Sequence, residues 1–99
     1  MIMNDTLPHP EALAARSEQI SVTALDGCCA QTYTLMSALL SDTVKAAPRM
    51  DSRYPELLRE LMRLLMQAQQ RDDLVAISDL LGFDLPYVLR NCRKGAHSK

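Results

Sequence analysis

The sequence predicts an all-α fold, a three-helix antiparallel bundle with a long first helix and a kinked third. Three observations carry that expectation. Apolar residues recur at steps of three and four, Leu, Ala, Met, Gln, Arg and Glu dominate, and runs of β-branched residues are missing. Apolar types make up 47% of the 99 residues, enough for one modest core and too many for a disordered chain. The reading is a single helical domain over 10–94, with flexible tails at 1–9 and 95–99.

Helix 1 is expected from about residue 11 to 45, with Pro10 suited to a first helical position and Glu11 favourable in the first turn. Val22, Leu25, Cys29, Tyr33, Met36, Leu40 and Val44 step by three or four along one face, and Leu13, Ser17, Ile20 and Ala24 extend the spacing upstream. Gly27 is its weak point, costing about 1 kcal/mol relative to Ala, and a bend or break is expected there.

Ala47-Pro48-Arg49 ends this helix, because a residue before proline avoids the α region. Tyr54-Pro55-Glu56 opens helix 2, with Asp51 or Ser52 as cap. Its core stripe is Leu57, Leu61, Leu64 and Ala68, widened by Leu58, Met62 and Leu65. Glu56–Arg59 and Glu60–Arg63 make i,i+3 pairs on a solvated face.

Helix 3 follows a turn at Gln70-Arg71-Asp72, with Asp72 as cap. Leu74, Ile77, Leu81, Leu85, Val88 and Cys92 keep helical phase straight through Gly82 and Pro86. Pro86 has no N–H, and its ring crowds the carbonyl of residue 82, where glycine lets the backbone yield. One helix over 73–93, kinked near 82–86, is the expectation. A second stripe, Ala76, Leu80, Phe83 and Tyr87, clusters roughly 120° around from the first. Either helix 3 touches both other helices, or Phe83 and Tyr87 form an exposed anchor for a partner.

Net charge is −1, split between −4 over residues 1–44 and +3 over 45–99. The near-neutral sum argues against non-specific nucleic-acid binding, although a local basic patch leaves nucleic acid open. The plainer meaning of the split is that the halves pack on each other. Cys28, Cys29 and Cys92 form no C-x-x-C pair and read as reduced thiols in a cytoplasmic protein, with Cys28 and Cys29 expected as small buried residues. The N-terminus carries no basic region followed by an apolar run, and no apolar stretch approaches the roughly 18 residues of a membrane span.

Chemistry-bearing constellations are missing. His9 and His97 fall in the tails, only three glycines occur, and no Gly-rich phosphate loop, G-x-S-x-G or H-x-x-x-H pair is present. Asp72-Asp73 is explained as a helix start rather than as acid–base machinery. The expectation is therefore a non-enzymatic protein with no cofactor and no metal.

Residues 73–89 resemble a segment of small helical bacterial proteins of the flagellar and export chaperone type. In that family a helix begins at Asp and continues as Ala-Asp-x-Leu-(Glu)-Tyr-Glu-Leu. Asp73, Ser78, Asp79, Leu80, Leu81, Phe83, Asp84, Leu85 and Leu89 fit this pattern; Ser78 stands for alanine, Gly82 for an acidic residue, and Pro86 comes one place early. The resemblance implies a helical-bundle chaperone or adaptor that holds an amphipathic partner helix.

Leu81-Gly82-Phe83-Asp84-x-Pro86 is also similar to the turn and recognition-helix start of arabinose-regulator-type transcription regulators. That resemblance implies a helix-turn-helix over 74–94, with Gly82 at the turn, Asp84 as cap, and Arg90, Asn91, Arg93 and Lys94 facing DNA. The apolar phase that runs through Gly82 points instead to a continuous helix, and Arg90, Arg93 and Lys94 equally suit a helix C-terminus.

The first reading is preferred. Leu80, Phe83, Tyr87 and Arg90 are the candidate partner-binding residues. The partner is another protein or a second copy in a homodimer, drawn to apolar surface where a long helix 1 overhangs the shorter helices.

Overall fold

The computed structural model describes residues 7–94. The chain forms α1 (Pro10–Leu25), α2 (Cys29–Lys45), α3 (Tyr54–Gln70), α4 (Leu74–Asp79) and α5 (Leu85–Asn91). A 3-10 turn spans Ala47–Arg49, and a π-helical turn at Leu80–Asp84 joins α4 to α5. No strand occurs among the described residues, and the fold is all-α. Residues 1–6 and 95–99 of the expected tails lie outside the described residues. Leu7 and Pro8 are half-buried, and Arg49 Nη2 donates to the Leu7 carbonyl at 3.3 Å.

The long first helix expected over 11–45 is corrected to two helices, broken at Gly27, the weak point where a bend or break was expected. Gly27 adopts φ +80°, a conformation open to glycine and strained for other residues, and the chain reverses there. α2 folds back antiparallel on α1, so that Arg16 in the middle of α1 pairs with Asp42 near the end of α2 at 2.8 Å. Among the described residues the bundle thus has four rods instead of three, and helix 1 leaves no overhang. Leu13, Ser17, Ile20 and Ala24 are buried as expected, but phase is lost across the glycine. Beyond it the buried line is Thr32, Met36, Leu39 and Thr43, while Val22, Leu25 and Val44 stay exposed.

α2 runs antiparallel to α3 as well. Tyr33, early in α2, donates to Asp72 beyond the end of α3 at 2.9 Å, and Tyr54, at the start of α3, donates to the Thr43 carbonyl at 2.7 Å. No side chain caps α3; Asp51 accepts from the Arg53 N–H before it at 2.9 Å. The stripe of α3 is rotated by one residue from the expected one. Tyr54, Leu58, Leu61, Leu65 and Ala68 are buried, while Leu57 is 39% exposed and Leu64 is only partly covered. Glu60 pairs with Arg63, whereas Glu56 and Arg59 form no ion pair among the described residues.

The third predicted helix is the run from α4 to α5. Its cap is Asp73, not Asp72: Asp73 Oδ1 accepts from the Ala76 N–H at 3.1 Å, and Asp72 takes a left-handed φ of 52°. Ile77, Leu81, Leu85, Val88 and Cys92 are buried in the expected phase, each large aliphatic chain worth about 1.5–3 kcal/mol of burial. The run lies antiparallel to both α1 and α3. Arg90 reaches Glu11 and Glu18, Ser17 Oγ donates to the Leu81 carbonyl at 2.5 Å, and a Cβ on Gly82 would lie 3.1 Å from Ser21 Oγ. On the other side Asp51 N–H donates to the Cys92 carbonyl at 2.7 Å, and Lys94 N–H to that of Arg49 at 3.0 Å. These bonds clip the segment just after α5 to the α2–α3 connection.

The π-turn is how the helix accommodates Pro86. The Leu85 N–H bonds the Leu80 carbonyl, five residues back, instead of that of Leu81. The helix continues through Gly82, and Asp84 is helical with no side-chain cap bond. The turn that the helix-turn-helix resemblance implies at Gly82 is therefore not formed, and the run is helical through it.

Candidate functional site

Two of the four candidate residues meet in one place. Phe83, in the π-turn, and Tyr87, one turn on in α5, are 70% and 67% exposed. With Leu57, Leu61 and Leu64 of α3 and Val88 of α5 they line an open groove of about 490 Å³. The antiparallel packing of α3 on α5 forms the floor, where Leu61 and Val88 are both nearly buried. The partly exposed Leu57 and Leu64 span about 10 Å of the α3 wall, two helical turns. Opposite them the two aromatic rings stand on a helix anchored behind by Leu81, Leu85 and Leu89, all fully buried.

Leu80 and Arg90 have other surroundings. Leu80 packs partly buried against the core, as does Ala76, so the second stripe divides into a core-facing half and an exposed half. Arg90 turns to α1, where it donates to Glu18 at 2.8 Å and to Glu11 at 3.0 Å. The hydrogen bonds to Glu18 and Glu11 hold the guanidinium charged, and the Arg90 hydrogen bond holds Glu18 below the usual carboxylate range. This arrangement draws acidic α1 onto basic α5, one instance of the two halves packing on each other.

Glu60 and Asp84 complete the groove lining, one from each wall, and among the described residues no basic side chain lines it. Glu60 is held low by its hydrogen bond to Arg63. Asp84 has no ion-pair partner among the described residues. The α3 wall is not apparent from the sequence, because Leu57 and Leu64 fit a core stripe as well as Leu58 and Leu65 do. The available signal was that six apolar residues between 57 and 65 exceed what one buried stripe requires.

The thiols are unbridged. Cys28 is exposed and Cys29 half-exposed, contrary to the expected burial, because the Gly27 turn leaves them at the start of α2 beyond the core. Cys92 is buried, and burial raises its thiol pKa. His9 is exposed at the start of α1, and His97 lies outside the described residues. Among the described residues no group of three or more His, Cys, Asp or Glu could hold a metal ion, and no helix is long and apolar enough to cross a membrane.

A scan of protein-family models, a search of curated proteins and a search of solved structures each find no match to this chain.

Proposed function

We propose that the protein is a non-enzymatic binding module, a bacterial export-type chaperone or adaptor acting in the cytoplasm, that holds an amphipathic helix of another protein in the α3–α5 groove. The observation that carries this reading is the pair Phe83 and Tyr87, two large exposed rings on a rigid helix, facing a leucine wall. A groove between two antiparallel helices accepts the apolar stripe of a third helix, and rigid aromatic anchors dominate the energy of such contacts. A second copy is the poorer occupant. A two-fold interface through this face would gather the Asp84 and Glu60 carboxylates of both copies on one buried surface with no cation from the lining among them.

The test is binding of the full chain to a panel of fluorescent amphipathic helical peptides, read by anisotropy. Binding is expected, and Phe83→Ala together with Tyr87→Ala should weaken it at least tenfold while helical circular dichroism is unchanged. A double variant that unfolds makes the rings core residues and removes the proposal. So does peptide binding that the double variant leaves intact. A concentration-dependent homodimer broken by the same two substitutions would install a second copy as the occupant.

A further inference from the structure

We infer, resting on the helix-docking reading above, that the partner helix is cationic, carrying Lys or Arg beside its apolar stripe where it meets Asp84. The groove lining has one carboxylate on each wall and no basic group among the described residues. Arg63 compensates Glu60, but no described residue pairs with Asp84. Outside the lining, Glu56, one turn before Glu60 on α3, and exposed Asp79, four residues before Phe83, also form no ion pair among the described residues.

Docking a helix here withdraws water from Asp84. An apolar or acidic neighbour would leave that carboxylate poorly solvated or repelled, whereas a Lys or Arg replaces its lost hydration with a charge-assisted hydrogen bond. The unpaired acid therefore acts as a selector among helices of equal hydrophobicity, because specificity is a difference of affinities. Within the groove itself, where the lining carries only the two carboxylates, the same sign of charge disfavours a seated phosphate.

Three otherwise identical amphipathic peptides, with Lys, Gln or Glu flanking a leucine stripe, separate the groove from its charge. Affinity should fall in the order Lys, Gln, Glu, by about two- to fivefold per step. Asp84→Asn should bring the Lys peptide down towards the Gln peptide, and 1 M salt should erase the difference, since the screening length is then about 3 Å. Equal binding of the Lys and Gln peptides, with Asp84→Asn silent, overturns the charge inference and leaves the groove standing. Failure of all three peptides, or binding unaffected by Phe83→Ala with Tyr87→Ala, overturns the docking reading and this inference together. Tighter binding of the protein to duplex DNA or anionic vesicles than to the Lys peptide overturns the inference as well.

Discussion

Ser17 Oγ donates a 2.5 Å hydrogen bond to the carbonyl of Leu81, across 64 residues of sequence. The π-turn explains why that carbonyl is available. Its α-helical donor, the Leu85 N–H, has shifted to Leu80, and its π-helical donor would be residue 86, a proline without N–H. Both Ser17 and Leu81 are fully buried, so an unsatisfied oxygen there would be costly. A hydroxyl on α1 thus completes the helix that presents Phe83 and Tyr87.

Ser17→Ala should accordingly destabilise the fold by about 1–3 kcal/mol, more than a surface serine substitution. Pro86→Ala restores an N–H close to the orphaned carbonyl, and in that background the Ser17→Ala cost should shrink. Urea melts of the two single variants and the double variant give the coupling. Additive costs would show that Ser17 and the proline act independently.

Gly27→Ala tests the break between α1 and α2. Were this position inside a helix, alanine would add about 1 kcal/mol of stability. At φ +80° the expected sign is opposite: a Cβ meets nothing within 4 Å, but the left-handed backbone itself costs roughly 1–2 kcal/mol for an L-residue. Thermal melts of wild type and variant distinguish the two, and a rise in Tm would contradict the turn.

These two sites show what could be read from the sequence and what could not. Helical periodicity was reliable where the helix is unbroken and one apolar residue occupies each turn of the stripe. Leu13, Ser17, Ile20 and Ala24 lie inward, as do Ile77, Leu81, Leu85 and Val88. It failed across Gly27 because the i,i+4 rule presumes unbroken helical dihedrals, and one positive φ resets the phase. It was displaced by one residue in α3 because adjacent leucines, Leu57-Leu58 and Leu64-Leu65, satisfy the pattern equally. Only packing decides which member of each pair is buried. The aromatic half of the groove could be read as a second stripe; the leucine half and Asp84 needed α3 and α5 side by side. The Arg90 bonds to Glu11 and Glu18, 79 and 72 residues away, have no local signature.

Tyr54 predicts an alkaline limit to stability. Burial pushes its phenol from the ordinary 10.0 up to about 12. The folded state therefore keeps the proton while the unfolded chain releases it near pH 10. The contribution is complete below pH 10 and is lost as pH rises through 12, a loss on the order of 2 kcal/mol. Tyr33, also pushed up to about 12 by burial and by its bond to Asp72, titrates in the same window. Tyr54→Phe should cost about 1 kcal/mol at pH 7, where it loses the bond to Thr43. Its stability should then fall less steeply than wild type between pH 10 and 12, with Tyr33 supplying the remaining slope. Parallel urea titrations at pH 7, 10 and 11.5 check this, and identical slopes would remove Tyr54 from the account.

Leu81 and Phe83 are two residues apart on one helical run yet should behave oppositely. Leu81 is fully buried, and Leu81→Ala should cost about 2–5 kcal/mol through lost burial and the cavity left behind. Phe83 is 70% exposed, and Phe83→Ala should stay within about 0.5 kcal/mol of wild type, as surface substitutions do. A small cost would leave the ring free for the docking role proposed for it, because folding would then not depend on it. Urea denaturation of the two variants decides it. A Phe83→Ala cost approaching that of Leu81→Ala would place the ring in the core and leave the groove without its anchor.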